Sequence, residues 1–206
     1  MPDLRSSCSF ALAALLLACR PAAAPAPPHA SSATRSEPQA AATTVIVVRH
    51  GEKAADDPRD PSLSPAGEAR ARALAGLLAQ AGVTHLFATE FRRTQATLGP
   101  LASATGREVA VVPAADGGAL LAAIRALPAG SVAVVAGHSN TVPGLVDALG
   151  GAARGAVAGP AGPQLPDDAF DRLFVLVVPS APGAPASTLE LRYGSTAPPA
   201  APPTAP

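Results

Sequence analysis

Two histidines of this 206-residue chain stand directly after apolar runs: His50 follows VIVVR in Arg49-His50-Gly51-Glu52, and His138 follows VAVVAG in Gly137-His138-Ser139-Asn140. A third polar group, Thr89 with Arg92, Arg93 and Thr97, follows the apolar stretch His85-Leu86-Phe87-Ala88. These are either ordinary polar strand ends or side chains held out to a ligand. Two guanidinium groups at fixed angles can grip a tetrahedral oxyanion through paired hydrogen bonds, which makes a phosphoryl group the natural guest. A neutral imidazole can attack phosphorus in line if its other ring nitrogen donates to a fixed acceptor such as a backbone carbonyl. Gly51 lets that carbonyl, or the phosphate, come close. A second imidazole, once protonated, can donate to an equatorial phosphoryl oxygen as charge accumulates there. The scheme calls for no cofactor and no metal, and the chain offers no cysteine or carboxylate cluster to hold one.

Such chemistry needs elements that bring the three groups to one edge. Val45 to Val48 is a continuous β-branched run, suited to a central strand covered on both faces. Ser64 and Pro65 open a helix as N-cap and first residue, with Leu74, Leu77, Leu78 and Ala81 at helical spacing and Gly82 ending it. His85 to Ala88 reads as a second strand, and Arg92 to Thr105 as a helix that Gly99-Pro100 is expected to kink or restart. Val109 to Val112 is a third strand, Leu120 to Leu127 a helix, Val132 to Ala136 a fourth strand, and Thr141 to Leu149 a helix. Arg172 to Val178 and Thr188 to Tyr193 are two further strands that pair with each other or extend the sheet. Alternating strands and helices predict an α/β fold, a three-layer α/β/α sandwich around a mostly parallel sheet. Ligands of such sheets collect beyond the carboxyl ends of the strands, where both histidines and the arginines fall. The stretch from Gly150 to Asp168 either flanks that edge or is a disordered surface loop. Glu68, Arg70 and Arg72 read as the solvated face of the first helix, Asp147 as the exposed side of the fourth, and His85 as a strand start.

Arg49-His50-Gly51-Glu52 after a strand, Arg93 with Thr97 four residues on, and Gly137-His138 after another strand, in that order, resemble the histidine phosphatase superfamily. The resemblance is to a small branch 1 member with the phosphoglycerate-mutase-like fold, and it spans 43–193. It implies that His50 is the nucleophile that becomes phosphohistidine, that Arg49 and Arg93 clamp the phosphate, and that His138 is the pocket's second histidine. Gly51 and Asn140 would add phosphate contacts. Arg92 is the rival of Arg93 and would point to the rim. Thr89, where the family often has serine, is either a further hydrogen-bonding group or structural. Many members carry a glutamate acid in the loop after the third strand, and here that loop reads PAADGG, with Asp116 as its single carboxylate. Asp116 is then either the acid or a turn residue before Gly117, and Glu52 is a second candidate. Without an acid, alkyl phosphates would be poor substrates, and the chain could equally be a non-catalytic phosphate- or phospholigand-binding module of the cell envelope.

The ends differ from this domain in composition. Residues 1–18 read as an export signal, with Arg5 in a short basic region and an apolar run from Phe10 to Ala18. Leu16-Leu17-Ala18-Cys19 resembles a lipobox, which implies cleavage before Cys19 and its lipidation, with the protein held at the periplasmic face of an outer membrane. The alternative is a secretory peptide cleaved near Ala24. Residues 19–42 and 194–206 are rich in Ala and Pro and read as a disordered tether and tail, His29 being solvated in the former. The two cysteines, Cys8 and Cys19, both lie in the leader, so the domain at 43–193 has no disulfide. Formal net charge is zero and aromatics make up 3%, which excludes an electrostatic footprint or stacking platform for nucleic acid. The partners implied are a phosphorylated small molecule or phosphoprotein and, through the anchor, a membrane. The short third loop offers no lid, and an open site favours hydrolysis over mutase chemistry.

Overall fold

The computed structural model describes residues 42–180 and 185–194. The leader, Cys19, the tether up to residue 41 and the tail beyond 194 lie outside these residues. No described helix is long and apolar enough to cross a membrane.

Strand β1 (Thr43–Arg49) lies inside a six-stranded sheet with β2 (His85–Ala88), β3 (Val109–Val111), β4 (Val132–Gly137), β7 (Arg172–Val178) and β8 (Ser187–Arg192), in the order β3-β2-β4-β1-β7-β8. The first four are mutually parallel, whereas β7 runs antiparallel to β1 and β8 antiparallel to β7, so the last two strands both extend the sheet and pair with each other. The β-branched run of β1 is buried on both faces. Ile46 and Val48 pack with Leu74 and Leu78 of α1 (Pro65–Leu78) and with Leu98 and Leu101 of α2 (Arg92–Thr105). Val45 and Val47 pack with Ile124 of α3 (Gly117–Arg125) and with Val142 and Val146 of α4 (Val142–Ala148). Helices on both faces complete the three-layer sandwich.

Local chemistry sets most element ends. Ser64 caps α1 by accepting from Gly67 N at 3.2 Å, with Pro65 in its first turn. Of the apolar residues at helical spacing in α1, Leu77 faces outward. Helix α2 runs unbroken through Pro100 and stops at Gly106, whose φ of 65° suits a glycine at the left-handed cap. An internal proline costs about 3 kcal/mol. Leu98 and Leu101, both fully buried, contribute about 2 kcal/mol each and hold the turn in place. Helix α3 begins three residues before the apolar stretch that predicted it, because Asp116 accepts from Ala119 N at 2.8 Å and caps it there.

The stretch from Gly150 to Asp168 is ordered: β5 (Val157–Gly159) and β6 (Gly162–Gln164) form a hairpin, and Leu165 is wholly buried among the residues of α3 and α4. Arg70 departs from the solvated face predicted for it. Its side chain is 7% exposed and donates to both carboxylate oxygens of Glu52 and to Tyr193 O. Glu68 and Arg72 form an exposed i,i+4 pair, as the helix surface suggested.

Candidate active site

Parallel pairing of β1 with β4 sets Arg49 opposite Gly137, so the next residues, His50 and His138, leave the sheet side by side. His50 N donates to Gly137 O at 2.9 Å, and the two imidazole centroids stand 5.3 Å apart in an edge-on arrangement. On the other flank β2 pairs with β4 with Ala88 opposite Ala136, which carries Thr89 up to His138.

The His50 ring is oriented by a carbonyl. Nδ1 lies 2.7 Å from Gly51 O, and since a carbonyl only accepts, Nδ1 carries the hydrogen and Nε2 the lone pair. Burial pushes the His50 pKa down to about 3, with the charges of Arg49, His138 and Arg93 adding to the effect, so the ring is neutral near pH 7. Gly51 is held in turn: its N–H donates to Thr97 Oγ1 at 2.9 Å, and that hydroxyl donates to Arg93 O. The Arg-His-Gly turn passes so close to α1 that a Cβ on Gly51 would fall 2.9 Å from Gly67 Cα, and one on Gly67 would fall 2.3 Å from Glu52 O. Glycine at both positions is what permits the approach.

His138 is fixed by a relay of hydroxyls. The Thr94 hydroxyl lies 2.8 Å from Phe91 O and 3.1 Å from Thr89 O, and only its hydrogen can make such contacts. It therefore accepts from the Thr89 hydroxyl at 2.8 Å, which leaves Thr89 to accept from His138 Nε2–H at 3.0 Å. The His138 ring is a neutral Nε2–H tautomer whose Nδ1 is the place for a second proton. Burial, and next the charge of Arg93, lowers its pKa to about 4, so the proton expected on His138 is absent from the unliganded site at neutral pH.

Both clamp candidates pack against aromatic rings, Arg49 buried and Arg93 half-buried. The Arg49 guanidinium stacks on Phe170 at 4.0 Å and donates through Nη1 to Pro166 O and Asp167 O, so the ordered 150–168 stretch does flank the site. The Arg93 guanidinium stacks on Phe91 at 4.3 Å, and its Nη1 lies 3.5 Å from Asp60 Oδ1 without hydrogen-bond geometry. Arg49 Nε, Arg93 Nε and Arg93 Nη1 are buried donors without a hydrogen-bond partner among the described residues. Such donors are rarely left unmatched. Their burial lowers the pKa of both guanidiniums, and an anion would relieve both effects. Arg92 lies at the rim, more than half exposed, beside Asp56. Asn140 is exposed at the start of the turn into α4.

The two acid candidates are engaged elsewhere. Glu52 is held by Arg70 at 2.6 Å: burial alone would raise its pKa, and the guanidinium more than reverses this, so the carboxylate stays ionised and lacks the proton an acid must give. Asp116 serves as the N-cap of α3, the turn reading. A carboxylate that the motifs did not point to also acts on the site. The charge of Glu90 acts on both Arg93 and His138, and its Oε2 accepts from Ala114 N at 2.7 Å. Ala114 belongs to the loop after β3, where the resemblance would place the acid, so Glu90 reaches that region from β2 instead. Its one sequence signal is adjacency to Thr89.

Residues 45–116 match the sequence profile of the histidine phosphatase superfamily (branch 1). Comparison with curated proteins gives no match. Among solved structures, the protein histidine phosphatase SixA complexed with tungstate is similar at 19% identity and a TM-score of 0.55, over 72% of this chain and 96% of that one. A putative phosphohistidine phosphatase SixA from Agrobacterium tumefaciens is similar at 20% identity and a TM-score of 0.53, over 74% and 97%. The mycobacterial glucosyl-3-phosphoglycerate phosphatase complexed with VO3 is similar at 14% identity and a TM-score of 0.52, over 73% and 99%. Residues 45–116 are thus similar in sequence to branch 1 of the histidine phosphatase superfamily, and the domain built around them has the fold seen in these solved structures.

Proposed function

We propose that the chain is a phosphatase that hydrolyses phosphomonoesters, or phosphoramidates and phosphoprotein side chains, through a phosphohistidine at His50. One observation carries the reading: two guanidinium side chains with buried, unmatched N–H donors flank a buried neutral imidazole whose Nε2 lone pair is free. Arg49 and Arg93 hold the phosphoryl oxygens and supply the positive charge, so the reaction needs no other cation. Nε2 attacks phosphorus while Gly51 O takes up the growing positive charge through Nδ1–H. His138 gains a proton on Nδ1 as the anion approaches and donates it to an equatorial oxygen, because a neighbouring dianion reverses the burial that lowers its pKa. Glu90, rather than Glu52 or Asp116, takes up a proton as the phosphate dianion binds and passes it to the leaving oxygen. Water then attacks phosphohistidine and phosphate departs.

One SixA structure is named a protein histidine phosphatase and the other a putative phosphohistidine phosphatase, which supports a phosphoramidate or phosphoprotein among the substrates. The engagement of Glu52 and Asp116 favours the second reading, a phosphate-binding module without turnover. Assay of para-nitrophenyl phosphate and phosphoramidate with wild type and His50→Ala separates the two. Turnover abolished in a folded His50→Ala variant supports the enzyme; vanadate raising the Tm of a wild type that turns over neither substrate supports the module. The export signal and lipid anchor at Cys19 are part of the same proposal, and loss of membrane association in Cys19→Ser tests them.

A further inference from the structure

A cavity of about 440 Å³ lies between the sheet and helices α3 and α4. Its floor is the sheet face of Val47, Phe87 and Val135, and its sides include Leu121 and Leu145, so its surface is mainly apolar. Its volume falls in the range of sites that enclose small organic ligands, roughly 300–1,000 Å³. At the carboxyl edge of the strands it shares its wall with the catalytic constellation. Thr89 bonds to His138, Gly137 O fixes His50 N, and Ala114 N holds the Glu90 carboxylate, and all three residues line the cavity. The loop from Pro113 to Asp116, on the side from which a leaving group would be protonated, forms another part of that wall.

From this juxtaposition we infer that the cavity receives the substrate's leaving group, and that the preferred substrates are phosphate esters of apolar alcohols or phenols. The inference rests on the proposed phosphohistidine reaction. At the packing density of protein interiors the cavity takes roughly ten to fifteen non-hydrogen atoms, the size of a bicyclic aryl or short branched alkyl group. A sugar or sugar acid would leave its hydroxyls without partners against these walls. In the reaction, the bond from His50 Nε2 to phosphorus forms as the bond from phosphorus to the ester oxygen breaks. That oxygen takes the proton of Glu90, and the neutral alcohol stays in the cavity until it leaves. Water then gives its oxygen to phosphorus and a proton back to Glu90, freeing His50 and inorganic phosphate.

Gly144 of α4 lines the cavity, and a Cβ there would meet nothing within 4 Å, so a larger side chain can enter without displacing backbone. The test measures kcat/KM of the full chain for 1-naphthyl phosphate and for phosphoramidate, which has no organic leaving group, in wild type and Gly144→Leu. It also measures 1-naphthol binding by calorimetry, a readout that needs no turnover. The ratio of the two kcat/KM values should fall at least tenfold in the variant, and 1-naphthol binding should weaken at least tenfold. Ala148→Met, which fills the same cavity from the next turn, should repeat the result if Gly144→Leu folds poorly. A ratio or a binding constant within twofold of wild type in folded variants overturns the inference. If wild type turns over neither substrate, the phosphohistidine reading fails, and 1-naphthol binding alone decides whether the cavity takes apolar groups.

Discussion

In the proposed reaction His50 and His138 each have one nitrogen committed, His50 to Gly51 O and His138 to Thr89, which leaves the other free to react. Both rings are neutral at rest, so an incoming phosphate or vanadate must bring a proton to His138. Binding at pH 7 should therefore take up a proton, seen as a calorimetric enthalpy that depends on the ionisation heat of the buffer, and His138→Asn should remove that dependence. An equal enthalpy in all buffers would place the charge elsewhere. Glu90→Gln should slow an alkyl phosphate about 100-fold or more and a para-nitrophenyl ester far less, since the better leaving group needs no proton. Equal slowing of both would remove Glu90 as the acid. The histidines and arginines were legible from residue type and position after strands. Glu90 was not, because what brings it into the site is its reach to Ala114, a contact across 24 positions that no local pattern encodes. The same holds for Arg70, whose helical position reads as surface until Glu52 and Tyr193 are folded against it.

The turn after β1 and helix α1 are mutually dependent elements. Gly67 passes Glu52 O with no room for a side chain, so Gly67→Ala should destabilise the domain by about 1–3 kcal/mol in urea titration. Activity should fall further than stability explains, because the displaced turn carries His50. The Glu52–Arg70 pair, with side chains only 16% and 7% exposed, is the second tie between these elements, and Arg70→Met should cost about 3 kcal/mol by leaving Glu52 unpaired. An effect within 0.5 kcal/mol in either variant would mean that the turn is held by other contacts. Most elements could be read in advance: β2 and β7 because apolar runs bounded by polar residues have few alternatives, and α1 because Ser64-Pro65 is a strong start. The hairpin β5-β6 was hidden by its composition, since GPQ and VAG are too short for a periodicity and offer Val157 as their one strong β-former, and pairing with each other is what makes them strands. Gly99-Pro100 was read as a kink or restart because the sequence shows the lost N–H but not that the leucines on either side of it are buried.

At the scale of the molecule, a chain of zero net charge concentrates unmatched positive donors at one edge of its sheet, and the cost appears in stability. The folded pKa values of His50 and His138, about 3 and about 4, lie below the ordinary 6.5. Well above pH 6.5 neither folded nor unfolded rings are protonated, and the two contribute no slope. As pH falls below 6.5 the unfolded chain takes up protons that the folded one refuses, so stability should decline steadily until the folded pKa values are reached. Urea titrations at pH 7 and pH 4.5 should show this loss, with a smaller loss when both histidines are replaced by Asn; an unchanged loss would assign it to other groups. The proposed covalent intermediate is most directly tested by rapid quench of the wild-type protein during turnover of para-nitrophenyl phosphate. Peptide mass spectrometry under mildly basic conditions should find the phosphoryl group on the peptide containing His50, at a site labile to acid. Turnover with no phosphorylated peptide, or with the phosphoryl group on any other residue, would contradict it.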